Sequence, residues 1–196
     1  KQLRAIQTRG RSTTYDGQFE VPTLSEVIAL AQQRSAELGR PVGIYPELKH
    51  STYMRSVSLA QGRSASYFED TLVSTLHAAY GNSSAAPVFI QSFEVNNLQY
   101  LNTRTDIKLV QLVDADDVNA NGSMSLVAPF DKPYDFVVNG DPRSFADLLT
   151  DAGLATYRAK DHHQRPRPVV VHNGAQCTPG EDAALRKDGS YPSGPA

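Results

Sequence analysis

The sequence lacks the features that mark several classes of protein. It has a single cysteine, Cys177, which excludes an internal disulfide framework and leaves the redox compartment undecided. No apolar run approaches the roughly 18 residues that a membrane-spanning helix needs. Lysine and arginine are not gathered into a basic stripe and the formal net charge is −2, so we do not expect nucleic acid as the main partner. What remains is the composition of an ordinary globular protein.

The length sets a limit on the fold. The chain has 196 residues, of which 40% are hydrophobic, enough for one domain with a sizeable core. This is shorter than the roughly 250 residues of a typical eight-stranded α/β barrel. The sequence begins at Lys1 without methionine and shows no signal peptide. We therefore expect that an N-terminal segment was removed, or that the chain is a piece of a longer protein.

Hydrophobic periodicity predicts helices that alternate with strands. A capping box, with Thr23 as N-cap and Glu26 at the third helical position, opens the first helix. The predicted helices cover residues 24–38, 66–80 and 94–102, and the predicted strands cover Val42–Tyr45, Pro87–Ser92 and Leu109–Asp114. Alternation without hairpin signals is typical of crossover units and a parallel sheet. The fold class predicted is α/β, as part of a TIM-type barrel.

Polar side chains follow the first predicted strand directly. The run from Gly43 to His50 is apolar at its start and ends in a carboxylate, an amine and an imidazole: Glu47, Lys49 and His50. Side chains just past the carboxyl ends of parallel strands face the reaction site in α/β folds. Glu47 and Lys49 are two residues apart and face the same side. A carboxylate that holds a divalent cation beside an amine that meets an anionic oxygen suits phosphate ester chemistry, although a simple ion pair at the strand end is the alternative.

Six segments carry a resemblance to a known family. They are Tyr15–Gln18, Pro22–Leu24, Gly43–His50, Pro87–Glu94, Leu109–Leu112 and Asp131–Asp135. In this order and spacing they resemble the glycerophosphodiester phosphodiesterases, of the larger periplasmic bacterial type. The resemblance covers roughly residues 1–156, and we expect residues 1–157 to form the central part of the family's barrel domain.

The resemblance implies a function and a set of site residues. The family hydrolyses glycerophosphodiesters, such as glycerophosphocholine, to glycerol 3-phosphate and an alcohol in a TIM-type barrel with a bound calcium or magnesium ion. Glu47 matches its metal-binding glutamate and Lys49 the lysine that neutralises the phosphate. We expect His50, Gln91, Ser92 and Gln111 to line the substrate pocket, with a rim hydrogen bond as the alternative for His50. The resemblance also implies a periplasmic or secreted protein.

The departures from the family pattern are equally specific. The family's His-Arg motif, its Glu-x-Asp metal pair and its second catalytic histidine lie upstream of the matched segment. No catalytic residue is identifiable here, so we predict that the chain alone is inactive or nearly so. One alternative is a catalytically dead module that binds a cation and phosphate or acts in adhesion. Another is a chain that does not fold, because an open barrel leaves two parallel edges unpaired.

The C-terminal tail, residues 158–196, differs in composition. It holds five of the twelve prolines and three of the five histidines, but only four Leu, Ile, Val or Phe. Such a segment buries too little apolar surface to offset its ordering entropy, so we expect it to be mostly irregular or disordered, with one strand at Val169–Val171. We hypothesise that a frameshift produced it, because the composition changes inside what should be a strand–helix unit.

Two further patterns resemble metal-binding motifs, but the spacing of their residues does not match those motifs. The segment Asp117–Gly122 has oxygen side chains at alternate positions like the start of a calcium loop, but the closing glutamate position is Ala128. An Asx-rich turn is the better interpretation. The spacings of His162, His163, His172 and Cys177 match no closed zinc site.

Overall fold

A computed structural model describes residues 12–115, 117–118, 120–121, 124–128, 130–158 and 169–173. The helices in these ranges are α1 (Leu24–Leu38), α2 (Ser51–Ala60), α3 (Tyr67–Tyr80), α4 (Val95–Leu101), α5 (Tyr134–Asn139), α6 (Phe145–Leu148) and α7 (Asp151–Arg158). The strands are β1 (Phe89–Ser92), β2 (Lys108–Ala115), β3 (Asp117–Val118), β4 (Met124–Ser125) and β5 (Val169–Asn173). No helix in the described part of the chain is both long enough and apolar enough to cross a membrane.

Helix α1 begins as its sequence predicts. The Glu26 amide donates to Thr23 Oγ1 at 3.3 Å, and the Thr23 amide donates to Glu26 Oε2 at 2.7 Å, so both halves of the capping box form. Gly39 ends the helix with a φ of 61°, a left-handed conformation that favours glycine. The buried face is narrower than predicted, because Ile28 is buried whereas Leu38 is 55% exposed.

A parallel sheet with the order β1–β2–β5 forms the centre of the fold. Phe89 pairs with Lys108 at the start of β1, and Gln111 pairs with Val169 where β5 joins the other side of β2. Because parallel neighbours need crossover connections, the chain between them runs through helices. The sheet agrees with the predicted partial α/β architecture, and the closed barrel stays a prediction.

The strand predicted at Val42–Tyr45 is wrong as a continuous element. Two isolated parallel bridges, Ile44 to Val88 and Glu47 to Gln91, join this part of the chain to β1. The Ile44 amide donates to the Pro87 carbonyl and the Leu48 amide to the Gln91 carbonyl. The rung between them is missing because Pro46 has no N–H to donate. Residues 44–48 therefore lie beside β1 without forming a regular strand.

Five features of the described residues were not predicted from the sequence: the helices α2, α5, α6 and α7, and the hairpin of β3 and β4. Helix α2 follows His50 at once, and its sequence is rich in serine and threonine, which favour caps and turns over helix interiors. Strands β3 and β4 pair antiparallel around residues 120 and 121, so the prediction that hairpins are absent is wrong. The turn at residues 120 and 121 supports the interpretation of this segment as a turn, not a calcium loop.

The described core has two parts. The larger packs α1 and α3 against residues 44–48, β1 and β2, and it contains Ile28, Ile44, Leu48, Leu72, Val73, Leu76, Val88, Ile90, Leu98, Leu101, Ile107 and Leu109. The smaller gathers Val95, Val113, Phe136, Phe145 and Leu148. Asp135 lies beside the smaller cluster, fully buried, where its Oδ2 accepts hydrogen bonds from the amides of Val95 at 3.0 Å and Asn96 at 2.8 Å. These bonds attach the start of α5 to the start of α4.

Strand β5 lies in the C-terminal tail and includes the predicted strand Val169–Val171. Apart from β5 and Arg158, which ends α7, the tail residues, among them His162, His163 and Cys177, lie outside the described residues. The tail's irregular character and the boundary at residue 157 therefore stay predictions. His77 on α3 has a partner, since its Nε2 lies 2.9 Å from Thr105 Oγ1.

Candidate functional site

A cavity of about 240 Å³ lies at the carboxyl ends of residues 44–48, β1 and β2. Among the predicted site residues, Glu47, Lys49 and His50 line it together. Glu94, Asp114, Lys132 and Tyr134 are also in its wall. The position agrees with the general location of ligand sites in open α/β sheets, outside the carboxyl ends of the strands.

Glu47 and Lys49 form an ion pair at the mouth of this cavity. Lys49 Nζ lies 3.7 Å from Glu47 Oε2, and the two side chains are 71% and 20% exposed. Leu48 between them is buried, so the alternation of the extended backbone places both charged groups on the same side. An exposed ion pair of this kind contributes at most about 1 kcal/mol, so little free energy is lost when Lys49 turns to another anion.

His50 has an uncommon backbone conformation. Its φ of 53° and ψ of 47° are left-handed, and it is the non-glycine residue with positive φ in the described chain. The turn sends the chain from the sheet into α2, where the Met54 amide donates to the His50 carbonyl at 2.9 Å. The imidazole ring meets Tyr134 edge to face, with centroids 6.1 Å apart. The ring is thus held at the cavity wall by a backbone that most L-residues avoid.

Glu94 is the buried carboxylate of the site. It is 3% exposed, and its Oε2 accepts hydrogen bonds from the amide and hydroxyl of Thr52, at 2.9 Å and 2.5 Å. Burial raises the pKa of Glu94, although the hydrogen bonds from Thr52 and the nearby His50 act in the opposite direction. Its second oxygen, Oε1, is buried without a hydrogen-bond partner among the described residues. A buried acceptor of this kind is satisfied by a proton, a water molecule or a cation.

The donor chemistry of the cavity fits a hard divalent cation in part. Glu47, Glu94 and Asp114 supply carboxylate oxygens, the ligands that calcium and magnesium prefer. Within the described ranges, however, no three His, Cys, Asp or Glu side chains converge on one point where an ion could be held. These residues can therefore contribute ligands but do not by themselves complete a coordination sphere.

Lys132 adds a second ammonium group to the cavity wall. Its charge also lowers the pKa of two carboxyl groups that lie outside this wall. The pKa of Asp141 is lowered to about 2, first by hydrogen bonds from Arg143 and to a smaller extent by Lys132. The pKa of Asp147 is lowered mainly by its hydrogen bonds with Ser144, again with help from Lys132. The positive charge of Lys132 thus acts on these two carboxylates, and Lys132 also lines the cavity.

Ser92 and Gln111 are buried beneath the cavity and are not in its wall. Ser92 Oγ donates to the Leu48 carbonyl at 3.3 Å, and the Asn97 side-chain amide donates to Ser92 Oγ at 2.9 Å. Gln111 Nε2 donates to the Phe93 and Leu112 carbonyls, both at 2.9 Å. These bonds hold the strand ends together. A substrate contact for either residue stays a prediction that this geometry does not favour.

Gln91 is also absent from the wall of the cavity. Its Nε2 donates to the Tyr45 carbonyl at 3.2 Å, across the bridge that joins residues 44–48 to β1. Its predicted substrate contact likewise stays a prediction.

Sequence reasoning gave too little weight to four residues of the wall. Asp114 closes the apolar run of β2 in the same way that Glu47 closes the first run, which is a detectable signal. Lys132 and Tyr134 belong to the Asp131–Asp135 segment that carries the family resemblance. Glu94 has a partner 42 residues away, Thr52, and no local pattern reveals that contact.

The fold and the site together define a parallel α/β domain with an ionic cavity at its strand ends. Comparison with known proteins makes this specific: the chain belongs to the glycerophosphoryl diester phosphodiesterase family, whose sequence profile matches residues 1–157. The fold of this family is a TIM barrel, of which the described residues show helices and a parallel sheet.

Two kinds of curated protein are similar to parts of the chain. It is 35% identical over 128 residues to glycerophosphodiester phosphodiesterase GDPD6 of Arabidopsis thaliana, covering 57% of this chain and 32% of that protein. Over 49 residues it is 49% identical to the non-specific acid phosphatase of Salmonella typhimurium and 52% identical to that of Salmonella typhi. These stretches cover 24% of this chain and 20% of each phosphatase. The chain thus spans about a third of the plant relative and a fifth of the phosphatases.

Proposed function

We propose that this chain belongs to a metal-dependent enzyme that hydrolyses glycerophosphodiesters to glycerol 3-phosphate and an alcohol. The observation that carries the proposal is the meeting of Glu47, Lys49 and His50 in one cavity, in a member of a phosphodiesterase family. In the reaction, water forms a new bond to phosphorus, the bond from phosphorus to the alcohol oxygen breaks, and the alcohol leaves with a proton. We infer a periplasmic or secreted location from the resemblance to the periplasmic bacterial type.

Each residue has a role in this proposal. Glu47 would hold a calcium or magnesium ion, and Glu94 and Asp114 would support it from the same wall. When bound, such a cation offsets the negative charge that develops on the phosphoryl oxygens. Lys49 would leave its weak pair with Glu47 and bind an anionic phosphate oxygen. Its point charge is strongest once the ligand excludes water from the cavity.

The chain alone is proposed to bind its substrate and turn it over slowly or not at all. This proposal rests on the expectation that the histidine pair, which acts as general acid and base in the family, has no counterpart in this sequence. Binding without turnover would also describe the alternative, a catalytically dead module that keeps its cation and phosphate contacts. Rapid release of glycerol 3-phosphate by the purified chain with calcium would show that the expected inactivity is wrong.

Calorimetric titration of calcium, with and without glycerophosphocholine, tests the proposed roles. We expect Glu47→Gln to weaken calcium binding by about tenfold or more, since it removes one full ligand charge. Lys49→Met should leave calcium binding intact and weaken the binding of glycerophosphocholine. Glu37→Gln is the matched control, because it removes an exposed carboxylate on α1 that pairs with Arg34 at 2.6 Å. Equal calcium affinity of the wild type and Glu47→Gln would refute the assignment.

The similarity to acid phosphatases favours a second candidate function, the hydrolysis of phosphate monoesters. We infer that the matched stretch includes the tail, because the family profile ends at residue 157 and the composition changes there. A tail derived from a phosphatase would also replace the frameshift hypothesis. Glycerol 3-phosphate is itself a phosphate monoester, so the two reactions would follow one another. Release of inorganic phosphate from p-nitrophenyl phosphate by the full chain would support this function, and its absence would count against it.

A further inference from the structure

A second cavity lies between the helices, apart from the candidate site. Its volume is about 590 Å³, and residues from α2, α3, α4 and α5 line it. We call it the helix cavity, and its wall includes Ser51, Arg55, Glu69, Asn97 and Asn139. No described residue lines both cavities. The volume is within the range of roughly 300–1,000 Å³ that small-molecule sites have, and the proposed function makes no use of it.

The walls of the two cavities differ in their chemistry. The candidate site combines several carboxylates with two lysines. In the described wall of the helix cavity, the charges of Arg55 and Glu69 have opposite signs and can balance. Much of the remaining wall consists of neutral hydroxyl and amide side chains, namely Ser51, Thr52, Ser66, Asn96, Asn97 and Asn139. Such a wall favours an uncharged ligand with many hydroxyl groups, because each hydroxyl both donates and accepts hydrogen bonds.

Asn97 has a buried acceptor that lacks a donor. The residue is 6% exposed, and its Nδ2 donates to Ser51 Oγ at 2.7 Å and to Ser92 Oγ at 2.9 Å. The Ser92 hydroxyl donates to the Leu48 carbonyl, and the Ser51 hydroxyl bonds with Glu69. Because both hydroxyls use their hydrogens elsewhere, both accept from Asn97, and this fixes the orientation of the amide. Asn97 Oδ1 is then buried without a partner among the described residues, so it requires a donor.

Arg55 supplies the complementary donors. Its side chain is exposed on α2 and forms no ion pair within the described part of the chain. A guanidinium group has several N–H donors and no acceptor, so it binds oxygen atoms of a ligand. The wall therefore has donors at Arg55 and acceptors at Asn97 and Glu69. A ligand with adjacent hydroxyl groups can use both kinds of group at once.

We propose that the helix cavity is a second binding site, and that its ligand is a neutral sugar. Hydroxyl groups of the sugar would donate to Asn97 Oδ1 and Glu69, and would accept from Arg55 and the side-chain amide of Asn139. The inference does not depend on the proposed function, because none of these residues lines the candidate site.

The first turn of α2 joins the two cavities. Thr52 lines the helix cavity, and its amide and hydroxyl donate to Glu94 in the wall of the candidate site. Ser51, the residue before it, bonds with Glu69. Because the two sites are this close, a test must show where a sugar binds as well as whether it binds.

Nuclear magnetic resonance titration of the ¹⁵N-labelled full chain with three monosaccharides provides this test. Glucose is neutral, glucosamine carries an ammonium group and glucose 6-phosphate carries a phosphate, on the same ring. We expect glucose to cause saturable shifts of the amides of residues 51–55, 96–100 and 139. Glucosamine and glucose 6-phosphate should bind there no more tightly than glucose.

Two exposed side chains of the wall are suitable for substitution. Arg55→Met and Asn139→Ala should each weaken glucose binding by about threefold to tenfold, the effect of losing one hydrogen bond, and leave the fold intact. Arg40→Met is the matched control, since Arg40 is an exposed arginine that lines neither cavity. It should leave the affinity for glucose unchanged.

Three results would overturn the inference. One is the absence of saturable shifts at these amides with glucose. Another is equal affinity of Arg55→Met and Arg40→Met for glucose. The third is tighter binding of glucosamine or glucose 6-phosphate at the helix cavity, which would show that the ligand is charged. The titrations contain neither calcium nor a diester, so a failure of the proposed function would not change their outcome.

Discussion

Asp135 provides the clearest test of how the site is supported. Its carboxylate is fully buried, and its Oδ2 accepts the amides of Val95 and Asn96 at the start of α4. Its Oδ1 accepts the Phe136 amide at 3.1 Å. Because Glu94 is the residue before α4, these bonds also fix the backbone that carries a cavity carboxylate. Burial raises the pKa of Asp135, because a charged carboxylate is costly to remove from water. This cost offsets part of the stabilisation that its hydrogen bonds provide.

Replacing Asp135 by alanine removes the acceptor of three amides, but the Phe136 amide also donates to the Pro133 carbonyl at 3.0 Å, so two amides, those of Val95 and Asn96, lose this partner. Each buried donor left without a partner costs about 1–3 kcal/mol, and Asn96 is partly reached by water. We therefore expect Asp135→Ala to lower the free energy of unfolding by about 2–4 kcal/mol. Asp135→Asn keeps one acceptor oxygen and removes the buried charge, so it should lose about 1 kcal/mol or less.

Urea denaturation followed by circular dichroism measures both variants against the wild type. Unchanged slopes with shifted midpoints would show that stability changed and the unfolded ensemble did not. A loss below about 0.5 kcal/mol in Asp135→Ala would refute the reasoning, because it would mean that the two amides find other partners.

Two other changes are predicted from local geometry and charge. Gly153→Ala should destabilise the fold even though alanine favours helices by about 1 kcal/mol, because its Cβ would lie 2.2 Å from the Asp147 carbonyl oxygen and 2.7 Å from Leu148; a raised melting temperature would contradict this. Burial raises the pKa of Glu69, against a hydrogen bond with Ser51, so the folded state binds this proton more tightly than the unfolded chain does. The stability from Glu69 is therefore complete below its unfolded pKa of roughly 4.3 and falls as the pH rises through the folded pKa. Unfolding midpoints measured from pH 4 to 8 should fall less steeply in Glu69→Gln than in the wild type, and parallel slopes in the two proteins would count against a raised pKa of Glu69.

The parts of the fold that depend on residues close together in the sequence could be predicted. The capping box of Thr23 and Glu26 and the apolar period of α3 are complete within one helix, and both are present in the structure. The missing strand at Val42–Tyr45 also has a local cause, since Pro46 cannot donate to the ladder, but the sequence alone did not show how much pairing would survive.

The candidate site was predictable only where it is contiguous in the chain. Glu47, Lys49 and His50 follow one another, and the structure brings them to one cavity. Ser92 is buried because its hydroxyl bonds with Leu48 and Asn97, which come from other elements. No periodicity in the sequence predicts those contacts. Burial therefore divides the predicted polar residues into those that line the cavity and those beneath it.

The register of the parallel sheet has a consequence for the order in which the protein folds. Paired residues are 19 positions apart between β1 and β2 (Phe89 and Lys108), 44 apart at Ile44 and Val88, and 58 apart between β2 and β5 (Gln111 and Val169). Since closure entropy grows with the logarithm of loop length, joining β5 costs about 1 kcal/mol more than joining β1 to β2. We expect pulse-labelled amide exchange to show β1 and β2 protected first, residues 44–48 next and β5 last. The backbone of β1, β2 and residues 44–48, whose carboxyl ends carry the cavity, would then fold before β5 pairs with the far edge of the sheet.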